Sequence, residues 1–121
     1  MLKEGDIIQA LKKALPEGQL VRFTPGPASP RGISDVLITW NGRDWFCEIK
    51  LNDTKLTRLQ ADFLAKRANP MLLHIHTKKM KITCEVKGAI DDAKWIAGML
   101  AKQLWTPANS YDIFVTYAMR F

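Results

Sequence analysis

Gly32-Ile33-Ser34-Asp35-Val36-Leu37-Ile38-Thr39-Trp40-Asn41-Gly42-Arg43-Asp44-Trp45-Phe46-Cys47-Glu48-Ile49-Lys50 is the stretch whose reading decides the fold. Two apolar runs flank Asn41-Gly42. A tight primed turn needs positive φ at both central residues, and Asn-Gly meets that need at low cost. The stretch therefore predicts a hairpin of two antiparallel strands, over about residues 34–40 and 44–51.

An acid opens the first strand and an acid closes the second. A hairpin brings those two positions side by side, so Asp35 and Glu48 are expected to meet although thirteen positions (48 − 35) separate them. Side chains alternate across a strand, which puts Glu48 and Lys50 on one face. Two carboxylates and an ammonium then converge at one end of an apolar sheet, where charges are costly unless paired or bound to a cation. Hard oxygen ligands suit Mg²⁺ or Mn²⁺. A metal held by Asp35 and Glu48 can acidify a bound water and neutralise charge developing on a phosphoryl group, and Lys50 beside it can orient the nucleophile.

Downstream lies Lys55-Leu56-Thr57-Arg58-Leu59-Gln60. Gly-x-Ser-Asp, a hairpin, Glu-x-Lys and then Leu-Thr-x-x-Gln together resemble the PD-(D/E)XK nuclease superfamily, with the nearest likeness to the VRR-NUC group and archaeal-type Holliday junction resolvases. Ser34 stands where many members carry proline. The likeness covers roughly residues 1–100 and implies a restriction-endonuclease-like core. It implies a Mg²⁺-dependent endonuclease for which Mn²⁺ substitutes, acting on branched, flap or four-way junction DNA. It also implies that the carbonyl of Ile49 helps Asp35 and Glu48 hold the metal. Gln60 would contact phosphate or water near Lys50, and a glutamate on the first helix would reach the site. Glu4 fills that last place best, with Asp6 and Glu17 as competitors.

The chain has 121 residues, 47% of them hydrophobic, enough for one core and one domain. The core of that domain is expected over about residues 1–104. No run approaches the ~18 apolar residues of a membrane helix. The N-terminal residues lack the apolar stretch of a signal peptide, so a cytoplasmic location without membrane contact is expected. Cys47 and Cys84 lie in apolar, strand-like runs and read as buried free thiols. The net charge is +6, which suits a polyanion partner because neutralised phosphates release counterions. Charge alone fits DNA binding and plain solubility equally; the acid cluster inside a basic chain favours phosphate chemistry.

The remaining elements follow from periodicity. Residues 4–15 read as a helix that buries Ile7, Ile8, Leu11 and Leu15. Residues 20–23 read as a short strand. The proline-rich segment 24–32 reads as a loop bordering the cleft, where Arg31 is either a phosphate contact or part of a rigid connector. A second helix over about 57–68 would bury Leu59, Phe63 and Leu64. Thr57 and Gln60 form a capping box at its start, a structural role that competes with the functional one for the same amide. Lys55 and Arg58 beside the site are the best phosphate contacts, whereas Lys66 and Arg67 read as a solvated face. Strands follow at 71–76 and 80–86. His74 and His76 share a face but lack a third ligand nearby, and Glu85-Val86-Lys87 repeats Glu-x-Lys without the preceding hairpin. A third helix from Asp91 or Asp92 to about Gln103 carries Ile96, Ala97 and Leu100, with Trp95 and Met99 widening its apolar side. Residues 110–117 form a last strand, an edge or a dimer contact.

The order predicts an α/β domain with a mixed central sheet flanked by helices. The leading function is a metal-dependent DNA endonuclease, a homodimer if it cuts paired strands. The alternative is a non-cleaving DNA-binding module or subunit that uses the basic surface.

Overall fold

The computed structural model describes residues 2–23, 33–118 and 121. The chain alternates helices and strands: α1 (Glu4–Ala14), β1 (Leu20–Arg22), β2 (Val36–Trp40), β3 (Arg43–Leu51), α2 (Arg58–Ala65), β4 (Pro70–His76), β5 (Lys81–Val86), α3 (Ile90–Leu104) and β6 (Asp112–Tyr117). It is an α/β structure with one six-stranded sheet in the order β1-β2-β3-β4-β5-β6. The pairs β1–β2, β2–β3 and β4–β5 are antiparallel, and β3–β4 and β5–β6 are parallel, so the sheet is mixed.

The expected hairpin forms with Trp40 opposite Arg43, and Asn41 and Gly42 adopt φ of 52° and 77°. Its turn is anchored at a distance. The Arg43 guanidinium meets the Asp92 carboxylate at 2.9 Å, and the Asn41 amide donates to the same carboxylate at 3.3 Å. Asp92 sits in the first turn of α3, where its charge also suits the helix dipole.

Each parallel pair needs a crossover, and such crossovers are almost always right-handed. The pair β5–β6 runs opposite to β3–β4 while the sheet advances in the same direction. The rule therefore sends α2 and α3 to opposite faces. One face carries Val36, Ile38, Trp45, Cys47, Ile49, Met71, Leu73, Ile75, Ile82, Cys84 and Val86, all fully buried. Against it lie Ile7, Ile8 and Leu11 of α1 and Ala93, Ile96, Ala97 and Leu100 of α3 in a single core, and α1 and α3 touch each other. The other face has only α2. Phe63 of that helix meets Phe46 edge-on, with centroids 5.8 Å apart, and the Arg67 guanidinium lies over both rings.

This asymmetry corrects three expectations. Leu59 is 49% exposed because an eight-residue helix covers only part of its sheet face. Trp95 is 64% exposed because the narrower stripe of Ala93, Ile96, Ala97 and Leu100 already seats α3. Arg67 is not simply solvated, since it stacks on Phe63 and Phe46. Boundaries shift slightly as well. The second helix ends at Ala65, Pro70 opens β4 where its missing N–H costs least, and Met80 takes φ of 51° in the turn before β5. β6 is an edge strand, and Cys47 and Cys84 are buried free thiols. Among the described residues no helix is long and apolar enough to cross a membrane.

Candidate active site

The register of the hairpin assembles the site. Val36 pairs with Cys47, so Asp35, one residue before β2, falls opposite Glu48. Its carboxylate bends back and accepts the backbone N–H of Ile49 at 2.8 Å. Glu48 is 1% exposed, and Lys50, two residues on and therefore on the same face, is 8% exposed. The Lys50 ammonium stands 3.4 Å from Oε1 of Glu48. The other oxygen, Oε2, is buried without a hydrogen-bond partner among the described residues, and so is the hydroxyl of Ser34 beside Asp35.

The N-terminal turn of α1 supplies a third carboxyl. Asp6 is spent on the helix, accepting the N–H of Lys3 at 2.8 Å, and Glu17 is exposed beyond the far end. Glu4 lies within hydrogen-bonding reach of Asp35.

These acids crowd one another. Burial, reinforced by the charge and hydrogen bond of Asp35, pushes the Glu48 carboxyl up to about 8, even though Lys50 pulls the other way. Burial and the same neighbour push Glu4 up to about 7, while Lys50 and Arg22 oppose the shift. Like charges this close cannot all ionise without a cation. Arg22 was not singled out from the sequence. Its pairing with Val36 is what brings it near, and a three-residue strand gave little signal of that register.

Among the described residues no three His, Cys, Asp or Glu side chains are gathered into a ready-made metal cage. The donor set still fits a hard cation that takes one or two carboxylates and keeps most of its waters. Asp35 and Glu48 are adjacent, and one Glu48 oxygen is buried with no N–H donor facing it among the described residues.

Compared with protein-family models, curated proteins and solved structures, the chain matches none significantly.

The other expected residues divide. Gln60 completes the capping box: its Oε1 accepts the N–H of Thr57 at 3.0 Å, and its own N–H donates to the Thr57 hydroxyl at 3.2 Å. That commits the carbonyl oxygen to the start of α2. Ile49 is fully buried in β3. Lys55 and Arg58 are exposed on the segment that leaves β3 and enters α2. Arg31 and the loop 24–32 lie outside the described residues. His74 and His76 stack on each other with centroids 4.1 Å apart.

Proposed function

We propose that this chain is a divalent-metal-dependent endonuclease that hydrolyses phosphodiester bonds in DNA. The observation that carries this reading is Oε2 of Glu48, buried beside two further carboxyls and a buried lysine with no N–H donor to meet it among the described residues. A carboxylate is rarely buried this way in a stable core unless something cationic is meant to meet it. The net charge of +6 around an acidic centre adds a surface suited to a polyanion.

Asp35 and Glu48, with the Ile49 carbonyl, would hold Mg²⁺. When bound, the ion would lower the pKa of a coordinated water and offset charge on the phosphate. The chain's own groups do the rest. Lys50, fixed against Glu48, holds the attacking water or the phosphate oxygen through its ammonium. Glu4, with a carboxyl raised toward neutrality, is suited to exchange a proton with that water near pH 7. The N–H of Ile49 locks one Asp35 oxygen and so aims the other. Water oxygen bonds to phosphorus as the bond to the 3′ oxygen breaks, and solvent returns a proton to the leaving oxygen. Gln60 can offer its amide nitrogen to phosphate, and Lys55 and Arg58 can track the strand. Branched, flap or junction DNA is the proposed substrate class, and a homodimer would place two such sites on paired strands.

The test has two parts. Mn²⁺ titration followed by electron paramagnetic resonance should show a bound ion in the wild type and none in Asp35→Ala. Cleavage of four-way junction, flap, duplex and single-stranded DNA should require Mg²⁺ and disappear with chelator. If Lys50 and Glu48 merely satisfy each other inside a non-cleaving binding module, the protein will bind DNA, take up no Mn²⁺ and cut nothing.

A further inference from the structure

On the sheet face that carries Glu48 and Lys50, the neighbouring strand presents His74 level with Lys50, and His76 follows two residues on. With strands about 4.8 Å apart and about 3.3 Å of rise per residue, His76 sits roughly 8 Å from Lys50, a little more than the separation of successive phosphates along a strand. Here lies a cleft of about 270 Å³ lined by Asn52, Asp53, His76, Lys78 and Lys79. Lys81 stands level with His76 on β5. Burial, reinforced by the neighbouring His74, Lys81 and Lys79 and opposed by Asp53, holds the His76 imidazole below its usual range. Lys78 and Lys79 in its lining, with Lys81 nearby, outweigh the charge of Asp53.

It is also rigid. Asn52 takes φ of 52° immediately after β3, and its N–H donates to the Ile75 carbonyl at 2.9 Å. Its side-chain oxygen accepts from both the N–H and the hydroxyl of Thr77, each at 2.9 Å, and its carbonyl meets the His74 ring. One residue thus ties the segment leaving the catalytic strand to the turn that carries Lys78 and Lys79.

Resting on the hydrolase reading above, we infer that this cleft is a subsite for the backbone phosphate of the DNA strand next to the one attacked. Asn52 is a positioning residue that fixes the two lysines relative to Lys50. The strand would run from the acids across His74 and His76 to the β4–β5 turn.

The experiment measures binding of a fluorescein-labelled 20-base-pair duplex by fluorescence anisotropy, in EDTA, over a series of salt concentrations. Losing this one phosphate contact should lower the slope of log K against log salt by about 1 in Lys78→Ala/Lys79→Ala. The control, Lys12→Ala/Lys13→Ala, removes the same charge from the exposed end of α1 and should keep the wild-type slope. Asn52→Gly keeps both lysines and tolerates the positive φ, and should weaken binding several-fold. Equal slopes for the two lysine pairs, or no duplex binding by the wild type, would overturn the subsite. Absence of Mn²⁺ binding would instead overturn the hydrolase reading and leave this comparison intact.

Discussion

Glu48→Gln is the sharpest perturbation of the site. The folded-state carboxyl titrates near 8, well above the ordinary 4.5, because it is buried beside Asp35. The folded protein therefore binds a proton that the unfolded chain gives up between about pH 4.5 and 8. Stability is fully present below the unfolded value and is lost as pH rises through the folded one. A shift of this size corresponds to about 4 kcal/mol between pH 5 and pH 8.5 at its upper limit, and sharing of protons with Glu4 and Asp35 reduces it to about 2–4 kcal/mol. Urea denaturation in chelator should show that loss in the wild type, with a lower midpoint and an unchanged slope. Glu48→Gln has no proton to lose and should be flatter with pH by most of that amount. Saturating Mn²⁺ at pH 8.5 should restore about 2–3 kcal/mol to the wild type at a hundredfold excess over Kd, and nothing to the variant. A wild type equally stable at both pH values in chelator would refute the crowded-acid reasoning.

Lys50→Ala should reduce Mg²⁺-dependent cleavage at least about 100-fold while Mn²⁺ binding persists, as expected for a group that stabilises reacting charge; assays on junction and flap DNA check this. Arg43→Ala strands Asp92, which is 5% exposed. With Arg43 itself partly solvated, thermal denaturation should report a cost of about 1–3 kcal/mol. Thr57→Ala removes one half of the α2 capping box and should cost about 1 kcal/mol in urea, with little change in metal binding. Cys84, pushed by burial up to about 12, and Cys47, also pushed well up by burial, should resist a thiol reagent in the native state and react together on unfolding.

The hairpin was legible because its signals agree. Asn41-Gly42 fits only a primed turn, and the alternation through Glu48 and Lys50 fixes which side chains share a face. The third acid was half-legible. Glu4, Asp6 and Glu17 compete on sequence, and only the helix start shows that Asp6 is consumed by the N–H of Lys3. Periodicity misjudged Leu59 and Trp95 because it reports which side of a helix is apolar, not how much of a sheet that helix can cover. No local pattern marks Asn52, since the partners that give it meaning, Thr77 and His74, lie more than twenty residues on. The parallel docking of β6 depends on the crossover of α3, which no local pattern encodes.

The strand order follows the order of the chain without exception. Every new strand can add to the one made just before it, so no early segment has to wait for a distant partner before pairing. Contacts between near neighbours in sequence shorten the search, and mixed sheets built this way belong to the quicker folders of their class. Asp35, Glu48 and Lys50 all fall in the first 50 residues, so the acids can be gathered while the second half of the chain is still being synthesised.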